Sequence, residues 1–519
     1  MKNKIDKMYR TLLGVVLLGI MLSCTSDLGE VNKDPYKSDY IPVENNFVTI
    51  MNNVIPVINN GNIFQRQQNL FGDIYSGYMM TSTVFSMDNT PQYVFPNEWL
   101  NTPFKISFSA MSAAIIKIKK SLTSSSGEVL PEYKDYYALM QILRVAGMHR
   151  YADMWGPIPY SQITGDELQV AYDDLETLYN TFIAELTEAA DMLDAYVGTP
   201  SGLADYDLVY GGDYEKWIKF ANSLKLRLAM RMSYASPAEA QQYAEEAVNS
   251  KYGVMTVDAD GAFIKFKGDY INPLHIVCNN YDDIRMGAAI ETFLNGYNDP
   301  RRPAYFKTSG YGGYRGIRIG IGYTSETPYL LFSKINVDEL TPYPWMVASE
   351  VAFLRAEGAL RGWNMGADAE TWYENGIKLS FEQNGVSGVD AYIADATSKP
   401  ANYLSPLLAG NINALTDVRI AWDQSANLEM KLEKIITQKW IALFPNGQEA
   451  WSEFRRSGYP KLFPVVVNKS NGVIDTDIQV RRTQFPPSEQ INNEANYKDA
   501  VQKLGGLDNG GTKLWWDKK

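Results

Sequence analysis

A thiol near the amino terminus, two imidazoles and a wealth of aromatic rings are the side chains in this sequence with chemistry to offer. Cys24 closes the run Met21-Leu22-Ser23-Cys24, behind an apolar stretch from Leu12 to Leu22 and a basic start at Lys2, Lys4, Lys7 and Arg10. So short a stretch cannot span a hydrocarbon core of about 30 Å as a helix, so residues 1–23 read as a cleaved export signal. A cysteine just after a small residue suits thioether lipidation, and each acyl methylene buried in lipid contributes about 0.8 kcal/mol. Residues 24–40 are polar and read as a lipidated tether.

Catalysis has a thin inventory. His149 and His275 are the only histidines, far apart and without metal-site spacing. Cys278 is the only cysteine besides Cys24, with no nucleophile elbow and no disulfide partner left to it after lipidation. Asp258-Ala259-Asp260-Gly261 opens like a calcium loop but lacks the third ligand and the closing glutamate. A structural calcium stays open there, and no other cofactor is expected. The glycine-rich run from Gly310 to Gly320 has neither a Walker lysine nor a dinucleotide-binding context. The 60 carboxylates could supply a glycosidase pair about 5–9.5 Å apart, which keeps a surface glycoside hydrolase as an alternative.

The rings are more informative. The chain holds 34 Tyr, 20 Phe and 11 Trp, many in segments rich in Gly, Asn and Asp. Aromatic faces beside carboxamides are what the apolar faces and hydroxyls of a sugar, or the side chains of a peptide, require. In residues 75–99, Tyr75, Tyr78, Phe85, Tyr93 and Trp99 surround Asn89, Gln92 and Asn97. In the glycine-rich run, Tyr311 and Tyr314 stand with Arg315 and Arg318. Tyr75, Tyr78, Tyr93, Trp99, Tyr311 and Tyr314 are therefore the ligand-binding candidates, against the competing account that such rings fill a core or a hairpin tip. The net charge of −12 includes a signal of net +3, so the mature chain is near −15. That balance argues against a nucleic-acid partner.

The elements that must position these groups are mainly helical. Leu178, Phe182, Leu186, Ala189 and Leu193 form a 3.6-period stripe, opened by Asp173 with Glu176 three residues on. Trp217, Phe220, Ala221, Leu224 and Leu228 form another, and Ser236-Pro237-Ala238-Glu239 predicts a capping box. Ala348, Ala352, Ala356 and Ala359 make a small-residue stripe that lets a second helix approach. Four degenerate tetratricopeptide-like helix pairs emerge. They are 133–151 with 175–196, 217–249 as one pair, 347–361 with 367–383, and 430–443 with 448–456. Insertions at about 72–103 and 253–345 carry loop and short β character, including Ile317–Ile321. Val465–Arg482 predicts a hairpin around Lys469-Ser470-Asn471-Gly472. The fold class is a mainly α, α/α superhelix, with residues 41–519 as one domain.

Four stretches then carry a resemblance. They are Arg150-Tyr-Ala-Asp-Met-Trp-Gly-Pro-Ile-Pro-Tyr160, Trp217 to Arg231, Glu350 to Trp363, and Ile435 to Phe444 with Glu449 to Tyr459. In this order, and behind the lipidation signal, they resemble the SusD/RagB-like nutrient-binding outer-membrane lipoproteins of the Bacteroidetes, in a divergent branch. The resemblance implies a lipid-anchored protein facing the cell exterior that is not an enzyme. It would capture oligosaccharides or oligopeptides and serve as a lid on a SusC-like TonB-dependent barrel. A non-transport adhesion or structural lipoprotein remains an alternative. Trp440, Phe444, Trp451 and Phe454 recur at helical spacing and are expected to fill a helix interface. Arg455 and Arg456 are expected at a helix C-terminus, where the dipole favours cations.

Overall fold

Helix-forming stripes and their caps account for most of the architecture. The computed structural model describes residues 42–519 except 58–60, 84, 86–89, 166, 168, 269, 323–324 and 326. The export signal, Cys24 and the tether lie outside the described residues. The chain divides into two units, Met1–Asn45 and Asn46–Lys519, and the elements that follow belong to the second.

All four helix pairs are present. They are α1 (Lys134–Trp155) with α2 (Leu175–Leu193), α3 (Tyr214–Arg231) with α4 (Pro237–Val248), α5 (Ala348–Leu360) with α6 (Ala369–Gln383), and α7 (Leu428–Ala442) with α8 (Gly447–Ser457). The stripe on α2 is buried from Leu178 to Leu193. Its cap is Asp174, whose carboxylate accepts from the Thr177 amide at 2.9 Å, and not Asp173, which is held at the Ser161 amide and hydroxyl. Asp213, Asp368 and Asn427 cap α3, α6 and α7 in the same way, each worth about 1 kcal/mol. The Ser236–Glu239 capping box is not formed; α4 starts on Pro237 with no side-chain cap. Close approach of α5 and α6 follows from Gly376, where a Cβ would stand 2.7 Å from the Phe353 ring. The fourth pair departs from the hairpin form. After the cis Phe444–Pro445 bond, α8 leaves α7 and packs mainly on the helix Gln65–Asp73, while α7 packs on α5 and α6.

Charged residues lie inside this helical stack. Arg227 of α3 makes a bidentate pair with Glu350 of α5, both bonds 2.7 Å, and Arg231 bonds Glu449 of α8. Arg456 of α8 bonds Glu453 at 2.9 Å and Glu357 of α5 at 2.8 Å, and Lys439 of α7 reaches Glu453 at 2.9 Å. Arg455 donates to the Asp153 and Arg481 carbonyls at 2.8 and 2.7 Å and stacks 3.7 Å over Trp451. The two arginines are thus partnered and fully buried, so specific pairing rather than the helix dipole accounts for them. Trp440, Phe444, Trp451 and Phe454 are buried, as their spacing required.

Among the described residues six short strands form three antiparallel two-stranded ladders: β1 (Met79–Thr81) with β5 (Ile284–Met286), β2 (Ile158–Pro159) with β3 (Tyr172–Asp173), and β4 (Ala262–Ile264) with β6 (Tyr343–Met346). Ile317–Ile321 is not a strand; Ile317 makes one isolated bridge to Gly287. The predicted hairpin at 465–482 is also absent. Asn471 and Gly472 do turn with positive φ, yet Val466 and Val467 bond the Ile319 and Gly320 carbonyls and Lys469 bonds that of Gln92. The flanks pair elsewhere.

The helix Gln65–Asp73 has the wide π geometry and is wedged against α8. A Cβ on Gly72 would stand 2.7 Å from the Gln448 Cα, and one on Gly447 2.4 Å from the Asp73 Cα. Both obstacles are backbone. Gly72→Ala is therefore expected to destabilise the protein by about 3 kcal/mol, the upper part of the overpacking range, read as a lowered urea midpoint.

Candidate functional site

Pairing of β1 with β5 sets the chain after Thr81 beside the chain before Ile284. The Ser82 amide donates to the Asp283 carbonyl at 2.9 Å, and the Ser82 hydroxyl to the Asp282 carbonyl at 3.2 Å. The third contributor is the wide helix Gln65–Asp73. It is fixed by Arg150, which donates to the Gln68 amide oxygen at 2.7 Å, and by Asp73, which accepts from Gln68, Asn69 and the Gly447 amide. Burial pushes the Asp73 carboxyl up to about 6 against those bonds.

From this frame Gln65 donates to Asp283 Oδ2 at 3.0 Å, and Arg66 pairs with Glu98 in the short helix Asn97–Thr102. Trp99 belongs to that helix. It is half-buried, and the ring of Phe85 meets it edge-on at 5.6 Å and 88°. Tyr281, 39% exposed, ends the wide turn Ile276–Asn280 beside Asp283. Asp283 Oδ1 has no hydrogen-bond partner among the described residues, and burial raises its carboxyl. These segments make a shelf on which Phe85, Trp99 and Tyr281 keep ring surface exposed and Arg66 is partly exposed, while the Asp283 carboxylate is buried.

At the far end of β5, about 13 Å from Asp283 at strand rise, lies the glycine-rich run. The Ile317 amide donates to the Met286 carbonyl at 2.8 Å. Tyr311 is half-buried, its hydroxyl on the Pro328 carbonyl at 2.9 Å and its ring edge-on to Phe332 at 5.4 Å. Tyr314 keeps part of its ring exposed under the Arg302 guanidinium at 5.5 Å. Arg318 is a staple, buried over Phe463 and donating to the Gly410 and Pro464 carbonyls; burial brings it down to about 10. Arg315 pairs at 3.3 Å with Glu291, whose other oxygen accepts from the Gly316 amide.

Burial raises Glu291 from 4.5 to about 7, more than Gly316 and Arg315 lower it. A carboxyl raised by folding contributes stability that is present below about pH 4.5 and lost as pH rises through 7. Glu291→Gln is expected to remove from the pH 5-to-8 change in unfolding free energy a fall of about 3 kcal/mol, measured by urea titration at both pH values.

Three of the candidate rings are interior. Tyr75 lies 5.4 Å from Trp451 with its hydroxyl on the Thr90 carbonyl at 2.8 Å; Tyr78 bonds the Trp440 carbonyl; Tyr93 is 3% exposed at φ 67°. They are core residues rather than surface groups; Tyr75 and Tyr78 are so because residues 65–81 fold into the wide helix and β1 instead of a loop. Trp99, Tyr311 and Tyr314 retain exposed ring surface, but Trp99 belongs to one cluster and the two tyrosines to the other. Asn89 lies outside the described residues; Gln92 is buried and Asn97 exposed. Tyr281 and Arg66 were not among the candidates. The segment Asn279-Asn280-Tyr281-Asp282-Asp283 has the same ring-plus-amide composition as those singled out, so Tyr281 had a usable signal. Arg66 had none.

Other groups with chemistry are otherwise engaged. Cys278 is buried, which raises its thiol well above the usual range. His149 is buried with Nδ1 on the Val145 carbonyl at 2.8 Å, and burial lowers its pKa strongly. The Asp260 carboxylate accepts from the Thr256 and Val257 amides and pairs with Lys219. Among the described residues no cluster of His, Cys, Asp and Glu could hold a metal ion, and no helix is long and apolar enough to cross a membrane.

Residues 24–517 match the family described as SusD-like, Susd and RagB outer membrane lipoprotein. Among solved structures, the chain is similar to a chitin-binding SusD homolog from Flavobacterium johnsoniae, at 43% identity and a TM-score of 0.88 over 92% of this chain and 99% of that one. It is also similar to SusD homologs from Bacteroides thetaiotaomicron (36%, 0.86, covering 92% and 100%) and Bacteroides uniformis (37%, 0.86, covering 93% and 100%). None of the curated protein sequences matches it.

Proposed function

Since the chain belongs to the SusD-like family of outer membrane lipoproteins, we propose that it captures oligosaccharides at the cell surface and passes them, unaltered, to a SusC-like TonB-dependent barrel. Lipid on Cys24 would tether it to the outer membrane. The observation that carries the reading is the shelf of Phe85, Trp99 and Tyr281 beside Arg66. Ring faces take the C–H face of a pyranose, while a guanidinium takes its hydroxyls. A saccharide is favoured over a peptide by the chitin-binding relative at 43% identity.

Calorimetric titration of the detergent-purified protein with a panel of oligosaccharides, chitin fragments included, tests this. Saturable heat with the ligand recovered at its original length is the expected result. Shortened products would turn the reading into a hydrolase. Silence across the panel would remove the capture role.

A further inference from the structure

A second cavity, of about 410 Å³, opens where β4, the segment 335–342, the end of α6 and the cis Phe444–Pro445 turn converge. That volume is within the range of ligand pockets, roughly 300–1,000 Å³. Phe263, Leu274, Ile335, Val337, Pro344 and Phe444 are among the apolar residues of its wall. Aliphatic and proline surface predominates over aromatic faces, which suits an apolar side chain better than a sugar ring.

The polar groups are arranged differently from those of the shelf. Lys265 is exposed and lines the cavity, as does Asp258, and neither side chain makes an ion pair among the described residues. Burial and the charge of nearby Glu382 raise the Asp258 carboxyl. Asn384 lines the same space, with its amide nitrogen donating to the Ser380 carbonyl at 2.7 Å. An ammonium and a carboxylate of this protein, both unpaired, thus flank an apolar chamber. The complementary ligand carries both charges and an apolar group between them.

We propose that this cavity is a second binding site, separate from the shelf, for a zwitterion with an apolar side chain: a free amino acid or a short peptide with free ends. The side chain enters the wall of Phe263 and Phe444, the ammonium meets Asp258, and the carboxylate meets Lys265. The inference does not depend on the saccharide reading.

Its test uses the full chain in detergent, titrated with leucine, with Leu-Leu, and with N-acetyl-Leu-Leu amide, which lacks both end charges. Leu-Leu or leucine is expected to bind saturably and the capped compound at least about fivefold more weakly. Lys265→Ala, at an exposed residue, and Asp258→Asn, a near-isosteric change at a half-buried one, should each weaken the charged probe about fivefold and leave the capped probe unchanged. An oligosaccharide that binds the shelf should neither compete with Leu-Leu nor lose affinity in these variants. No binding of either zwitterion overturns the proposal, as does binding unmoved by both substitutions, or competition by the saccharide. Loss of saccharide binding in Trp99→Ala alone reports on the shelf and leaves this site untouched.

Discussion

Arg456→Met lowers the unfolding free energy by about 3–5 kcal/mol, the expected result of stripping one partner from a buried ionic cluster. Arg456 is fully buried and is the joint between Glu357 on α5 and Glu453 on its own helix. Without it Glu453 keeps Lys439, and Glu357 keeps Arg361 at 2.8 Å, but the charge left unbalanced has no water to turn to. Domains of ordinary stability hold about 5–15 kcal/mol, so the change is a large fraction of the whole. Urea unfolding by circular dichroism measures it. A double variant, Arg456→Met with Glu357→Leu, should cost less than the two single changes added together, because the unpaired charge goes with its partner.

The same cluster sets an acid limit. Burial alone would raise Glu357, but the attraction of Arg456 and Arg361 outweighs it and holds the carboxyl at about 2, below its ordinary 4.5. A depressed acid contributes stability that is complete above about pH 4.5 and lost as pH falls from there towards 2. Glu357→Gln should flatten that part of the acid-unfolding curve; an unchanged curve would show that the acid transition belongs to other carboxylates.

Trp99→Ala weakens saccharide binding by about thirtyfold, equivalent to about 2 kcal/mol, with little change in the melting temperature. The ring is half-buried and packs on Phe85 at the surface rather than into the helical stack, so truncation removes a ligand platform without opening a core cavity. Tyr78→Phe is the contrasting change. It deletes a buried hydroxyl bond to the Trp440 carbonyl, and should lower stability by about 1–3 kcal/mol while leaving affinity intact. If Trp99→Ala bound as well as the parent protein, the shelf would not be the saccharide site.

The helical scaffold could be read from residues alone because its information is local. Apolar spacing of 3.6, capping aspartates and the alanine stripe of α5 each act within one or two turns. Four helix pairs and their approximate limits followed from those signals. The candidate site was only partly legible. Tyr75 and Tyr78 read as part of a ligand-facing loop because the wide helix Gln65–Asp73, with more residues per turn, presents no 3.6-residue stripe. The hairpin at 465–482 failed for a related reason: its Asn-Gly turn is local and formed, but the strands' partners were decided by Ile319, Gly320 and Gln92, far away in the chain.

What the sequence determined by itself was therefore the helical class and the order of the pairs, both properties of short windows. Only the tertiary structure decided which charges are buried as pairs and which rings remain outside. Arg227 and Glu350 pair across 123 residues and Arg456 and Glu357 across 99, and the segments that carry Phe85 and Tyr281 are neighbours because β1 pairs with β5. Burial and pairing depend on where distant segments come to rest, and no single segment records it.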